Sequence, residues 1–295
     1  MFTNVFGNFL VTNNYISKEQ LLEIKNAQKE TRVKLGLIAV SERLLTDAQA
    51  VEINRKQAVM DKRFGDIAVE LGYLTEEQVS RLLGLQGNPY MQFSQAMTDK
   101  GFMDLTQIEE ALASFQKENG FTATDMDAFK SGDIDRIIPL FLPVLPKEEA
   151  KELIEVSIRT VNRLISSDIA MKKAYITDKA EFANGAMQSM EGDYGVSTAF
   201  VGNGDSLLAI ADTYAGESFG TVDMDALDSV GEFINVINGL FATSLSYKKV
   251  SVELMPPVFM EDKANLTGSG ICVVPLEIDQ KEVFLVVSVG NCIQA

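Results

Sequence analysis

The chain has 295 residues, 26 basic against 42 acidic, a formal net charge of −16 and no histidine. The missing imidazole excludes phosphohistidine relay, Ser-His-Asp and Cys-His catalysis and most zinc chemistry. The acidity argues against nucleic acid and anionic lipid as partners, because phosphate contacts need a basic surface. A chain of this length is comfortable as two domains. Its apolar stretches fall short of bilayer thickness and no secretory leader opens it, so a cytoplasmic protein without membrane insertion is expected. Cys272 and Cys292 each stand in an apolar, strand-like run and read as free buried thiols.

The amino-terminal part carries a 29-residue period. Gly7, Gly36 and Gly65 recur at that step, with Ser94 in the fourth place. Apolar pairs follow at Tyr15-Ile16, Leu44-Leu45, Tyr73-Leu74 and Phe102-Met103. Ser17, Thr46, Thr75 and Asp104 come next, each with a glutamine three residues on (Gln20, Gln49, Gln78, Gln107). That spacing is a capping box, in which the two side chains satisfy the first orphan N–H groups of a helix. Leu21, Ala50, Val79 and Ile108 open the buried faces, and Gln28, Gln57, Gln86 and, shifted by one, Gln116 close the units. The register predicts four helix-turn-helix units over residues 1–116, which must stack because one unit cannot bury its own face.

The third copy, Arg63 to Gln86, is the cleanest, and the unit resembles the short repeats of the MshEN-type domain at the amino terminus of type II secretion and pilus ATPases. Some such domains bind cyclic di-GMP through a leading arginine and the backbone around two glycines. Here Arg63 matches, but Val5, Lys34 and Gln92 stand at its equivalents, and Asn14 and Arg43 replace the second glycine. The resemblance therefore implies a structural or partner-docking array, with cyclic di-GMP sensing as the alternative.

Residues 1–116 hold 12 basic and 15 acidic residues, whereas 117–295 hold 14 and 27, which marks a boundary near Gln116. Residues 117–145 read as a linker with short capped helices. Their alternating aspartates, Asp125, Asp127, Asp133 and Asp135, fit no calcium-loop frame. An amphipathic helix is predicted from Lys147 to about Ser166, with Leu153, Val156, Ile158, Val161 and Leu164 on its buried side. Val196–Val201 and Leu207–Ala211, joined by Gly202-Asn203-Gly204-Asp205, read as a hairpin. A second hairpin is expected from Ile271–Ile278, a turn at Asp279-Gln280-Lys281, and Val283–Val289.

Between these strands a helix is expected to run to about Leu245, with Leu227, Val230, Ile234, Ile237 and Phe241 on one face. Asp228, Glu232, Asn235 and Gly239 follow i, i+4, i+7 and i+11 on the opposite face. Two carboxylates, an amide and a bare glycine thus form one outward row. The spacing D-x-x-x-E-x-x-N, with Pro256-Pro257 about two dozen residues later, resembles the signature of the CheC/CheX chemotaxis phosphatases over roughly residues 146–295. Glu155 is followed at i+3 by Ile158, and Asn162 is preceded by Arg159, so the first helix lacks a second copy of the motif.

The resemblance implies an α+β chain: an all-α repeat domain, then a CheX-like domain with long helices on a mostly antiparallel sheet. It implies hydrolysis of the aspartyl phosphate on a CheY-like response regulator, with Glu232 and Asn235 catalytic and Asp228 and Gly239 contacting the partner. Asn235 would orient a water and Glu232 would pair with the regulator's lysine. Gly231 and Gly239 would keep the helix surface low for the partner's approach. No cofactor of its own is implied; magnesium would belong to the regulator. A homodimer is expected, and a non-catalytic adaptor linking a regulator to a motility or secretion machine is the competing reading.

Overall fold

The computed structural model describes residues 1–28, 32–60, 62–193, 195–290 and 293; Cys292 lies outside them. The chain divides into two compact units, Phe2–Asp133 and Ile134–Ala295. The first is helical and the second is a helix-covered antiparallel sheet, an α+β architecture.

The helical unit contains α1 (Phe2–Thr12), α2 (Lys18–Gln28), α3 (Leu35–Ser41), α4 (Asp47–Gln57), α5 (Phe64–Glu70), α6 (Glu76–Gly84), α7 (Pro89–Asp99), α8 (Leu105–Asn119) and α9 (Ala123–Lys130). The first eight form four pairs at the 29-residue step. Thr46, Thr75 and Asp104 cap α4, α6 and α8 through reciprocal bonds with the glutamine three residues on. Ser17 and Gln20 make the same exchange before α2, at 2.8 and 3.2 Å. The turn before each cap bends through a left-handed residue at one repeat position: Asn14 (φ 58°), Arg43 (φ 56°), Gly72 (φ 69°) and Gly101 (φ 70°).

The recurring glycine is a packing position. A Cβ on Gly7 would collide with Leu21, and one on Gly65 would lie 2.7 Å from Cγ1 of Val79. At Gly7 and Gly65 the missing side chain lets the two helices of a pair approach, whereas Gly36 is closest to the Phe64 ring, 3.1 Å from its Cβ position, and Ser94 stands in the fourth copy. The pairs do not simply stack in chain order: α1 and α2 pack on α7 and α8, whereas α3 and α4 pack on α5 and α6. Phe2, Phe6, Phe93 and Phe115 build an aromatic core that Phe129 of α9 completes, its ring 4.8 Å from Phe115 and 4.9 Å from Phe2. This is why the unit extends to Asp133 instead of ending at Gln116. A capping box at Thr122 and Asp125 starts α9.

In the second unit α10 (Ile134–Ile137) and a 3-10 turn (Ile138–Phe141) lead to α11 (Glu148–Leu164). The buried residues of α11 are Ala150, Leu153, Ile154, Ser157, Ile158, Thr160 and Val161; of those expected inside, Val156 is only half-buried and Leu164 is exposed at the helix end. The strands are β1 (Ile169–Met171), β2 (Tyr175–Phe182), β3 (Asn184–Gly192), β4 (Gly195–Gly202), β5 (Val252–Leu254), β6 (Val258–Met260), β7 (Ala264–Ile278) and β8 (Lys281–Gly290). Their order is β1-β7-β8-β4-β3-β5, with β2 also on β7 and β6 also on β3. The recorded pairs are antiparallel. Asp279 (φ 48°) and Gln280 (φ 68°) close the predicted hairpin between β7 and β8.

The expected hairpin at Gly202–Asp205 does not form. Instead β4 pairs with β3, in register from Asn184↔Gly202 to Met190↔Val196, and on its other side with β8. Residues after the turn form α12 (Leu208–Ala215), ended by left-handed Gly216. Five consecutive apolar residues carry no period, so the run Leu207–Ala211 does not distinguish strand from buried helix.

Strand alternation sends Thr198 and Phe200 of β4 toward α13 (Met224–Tyr247), and Ala199 and Val201 into a second cluster on the other face with Met187, Ile271, Val273 and Val286. Both faces of the central strands are thereby buried, which accounts for their nearly continuous apolar sequence.

Candidate functional site

The outward row lies on α13. Asp223 caps this helix by accepting from the Ala226 N–H at 3.0 Å. Leu227, Val230, Phe233, Ile234, Ile237, Phe241 and Leu245 are fully buried. Burial at about 2 kcal/mol per side chain outweighs the roughly 1 kcal/mol that each of its two glycines costs a helix. The helix is thus pinned along one face, and that fixes what the other face presents.

Asp228, Glu232 and Asn235 are exposed, and Gly239 is half-buried. Successive steps of four, three and four residues keep them on one side of the helix. Asp228 and Glu232 have no hydrogen-bond or ion-pair partner among the described residues. Both carboxylates are free to meet a cationic group from outside. A Cβ on Gly239 would meet nothing within 4 Å, so the surface there is open. Gly231 has a different role from the one expected. It is buried, and a Cβ there would lie 2.7 Å from Cε1 of Phe259 and 3.4 Å from Pro257. The second proline of the Pro-Pro pair therefore packs against the helix beside Glu232, and Gly231 is spent on that internal contact.

Asn235 is exposed but anchored. Its Oδ1 accepts from Nε2 of Gln188 in β3 at 3.0 Å. One turn along, Asn238 is fully buried, accepting from the Thr198 hydroxyl at 2.7 Å and donating to Gln188 Oε1 at 2.9 Å. Neither Gln188 nor Asn238 was singled out in the sequence. The available signal was Asn238 itself, a polar residue among Ile234, Ile237 and Phe241 on the buried stripe. Nothing marked Gln188 beyond its being polar within a strand.

At the far end of the helix, Glu152 of α11 accepts from Ser244 and pairs with Lys248 at 2.5 Å, tying α13 to α11. Burial raises the Glu152 pKa, but the bonds from Lys248 and Ser244 outweigh it and hold the carboxyl below its ordinary value. Cys272 of β7 is buried among apolar neighbours, and desolvation pushes its thiol up to about 12. Such a thiol is not a nucleophile at neutral pH.

Residues 185–276 match the family model described as "Chemotaxis phosphatase CheX", an interval that includes α13 with Glu232 and Asn235, and Pro257. No curated protein matches the chain. Among solved structures, a chemotaxis protein CheX from Desulfovibrio desulfuricans is similar at 18% identity, covering 48% of this chain and 99% of that one, with a TM-score of 0.42. A CheC-like superfamily protein from Shewanella sp. PV-4 is similar at 15% identity, covering 50% and 99%, with a TM-score of 0.42. A CheX–CheY–BeF3–Mg complex from Borrelia burgdorferi is similar at 17% identity, covering 49% and 99%, with a TM-score of 0.41. Among the described residues, no helix is long and apolar enough to cross a membrane.

Proposed function

We propose that the second unit is a phosphatase that hydrolyses the aspartyl phosphate of a CheY-like response regulator in chemotaxis or motility signalling. The observation that carries this reading is the exposed Glu232 and Asn235 pair, three residues apart on a helix within the interval matched by the CheX family model. An aspartyl phosphate is an acyl phosphate and hydrolyses readily once water is held in line with phosphorus. The water oxygen attacks phosphorus, the P–O bond to the carboxylate breaks with its electron pair, and inorganic phosphate leaves carrying the water's oxygen. No covalent intermediate on this protein is needed, so positioning supplies the rate.

In this reading α13 docks on the regulator's phosphorylated face. Glu232, free of internal partners, forms a charge-assisted bond with the regulator's lysine. Asn235 orients the water, Asp228 contacts the regulator's rim, and the open surface at Gly239 admits it closely. Magnesium is held by the regulator. The helical unit serves as a docking array, and the protein works as a homodimer, a state that light scattering at micromolar concentration reads directly. Sub-micromolar cyclic di-GMP binding lost on Arg63→Ala would instead make the helical unit a sensor.

The deciding experiment is phosphate release from co-encoded response regulators phosphorylated with acetyl phosphate. Acceleration over the regulator's own hydrolysis supports the phosphatase. Binding without acceleration supports the adaptor.

A further inference from the structure

Gln188 lies mid-strand in β3, 2% exposed, on the face covered by α13. Its Nε2 donates to the main-chain carbonyl of Met255 at 3.0 Å and to Oδ1 of Asn235 at 3.0 Å. Its Oε1 accepts from Nδ2 of Asn238 at 2.9 Å, and Oδ1 of Asn238 accepts from the Thr198 hydroxyl at 2.7 Å. One group in this line has a role that cannot change. A main-chain carbonyl only accepts, so the Gln188 atom facing Met255 is the amide nitrogen.

The rest follows in order. Oε1 of Gln188 then faces Asn238, which must offer its nitrogen, and the oxygen of Asn238 turns to the hydroxyl. The second hydrogen on Gln188 Nε2 points at Asn235, which must offer its oxygen. An amide on an exposed helix face ordinarily turns about its last torsion between two orientations of nearly equal shape. Here one orientation is selected. Nδ2 of Asn235 faces outward with both hydrogens, and one lone pair of Oδ1 is left for a proton from outside.

We propose that Gln188 is a positioning residue for Asn235, and that the line Thr198–Asn238–Gln188 sets which end of the Asn235 amide meets the reacting water. This rests on the phosphatase reading above. An inverted amide would set nitrogen against the Gln188 nitrogen and offer the water the wrong hydrogen-bonding sense. Buried polar groups are costly unless every member is satisfied. This line is satisfied at each step, and its last link reaches the exposed amide of the row.

The test compares wild type, Asn235→Ala, Gln188→Met and the double variant, with the acetyl-phosphate-phosphorylated regulator as substrate. Methionine keeps the length of glutamine and has no donor. The expected result is a kcat for Gln188→Met lowered about tenfold, with KM and affinity for the beryllofluoride-loaded regulator within about twofold of wild type. In the Asn235→Ala background, Gln188→Met should add nothing, because its effect passes through the missing amide. A kcat within twofold of wild type would overturn the inference, as would the same loss with and without Asn235. If Gln188→Met does not fold, exchange of side-chain amide protons by NMR decides on the wild type. Gln188 Nε2 protons exchanging slowly and Asn235 Nδ2 protons freely support the proposal, and equal rates overturn it. The two readings fail separately. A wild type that releases no phosphate ends the phosphatase reading. An active wild type with an inactive Asn235→Ala and a normal Gln188→Met ends this inference alone.

Discussion

Gly231 and Phe259 are in such close contact that a Cβ on the glycine would lie 2.7 Å from Cε1 of the ring. The site helix is thus seated on β6 at the residue before Glu232. Gly231→Ala gains about 1 kcal/mol of helix propensity but overpacks by about 1–3 kcal/mol, for a net loss of about 1 kcal/mol. Gly239→Ala, which meets nothing within 4 Å, should stabilise by about 1 kcal/mol. Urea unfolding followed by circular dichroism reads both signs. The same sign for the two variants would contradict the packing described.

Asn235→Ala should lower the midpoint of thermal unfolding only slightly, because the side chain is exposed and water can replace the acceptor that Gln188 loses. Phosphate release should fall by about 10²-fold through lost positioning of water. Glu232→Ala should instead weaken binding of the beryllofluoride-loaded regulator, raising KM more than it lowers kcat. Interchanged effects would reverse the two roles.

Arg43 holds a left-handed backbone, φ 56°, at the repeat position where Gly72 and Gly101 stand. A side chain in that region costs roughly 1–2 kcal/mol, and glycine costs more in the unfolded chain, so Arg43→Gly should stabilise by about 1 kcal/mol. Asn14→Gly should gain less, because asparagine tolerates the conformation. The reciprocal Gly72→Ala should destabilise. Denaturant midpoints rank the three.

The Cys272 thiol, raised by burial to about 12, favours the folded state as the neutral form. Its contribution is fully present below its ordinary pKa of 9.0 and is lost as pH rises from there toward about 12. Iodoacetamide at pH 8 should leave the Cys272 peptide unmodified in folded protein and alkylate it in urea. Peptide mass spectrometry reads this residue directly, and native alkylation would contradict its burial.

The repeat unit was readable because its signals are local: capping boxes, a left-handed turn and one small residue recur at fixed steps. Its packing order was not, since pairing α1 and α2 with α7 and α8 depends on long-range shape. The site helix was readable because two opposed faces share one period, and its buried stripe stands as the pattern of Leu227 to Phe241 indicated. The run Leu207–Ala211 was misread as strand because an unbroken apolar stretch has no period to separate the two. Gln188 was invisible for another reason. Its partners lie 47, 50 and 67 residues away, and only the fold brings them together.

The Pro-Pro pair gains a meaning from the carbonyl that precedes it. Met255 is tied to β3 by its N–H bond to Ser189 at 2.9 Å, and a residue before proline is confined to extended backbone. Its carbonyl direction is therefore set by main chain alone, and no side-chain replacement at 255 would remove that acceptor. The polarity of an exposed amide on one element is written by the backbone of another. Substitutions along the helix would leave that instruction in place, whereas a one-residue insertion or deletion between Leu254 and Pro256 would erase it. Length in this short connection, more than composition, is what the orientation of the Asn235 amide depends on.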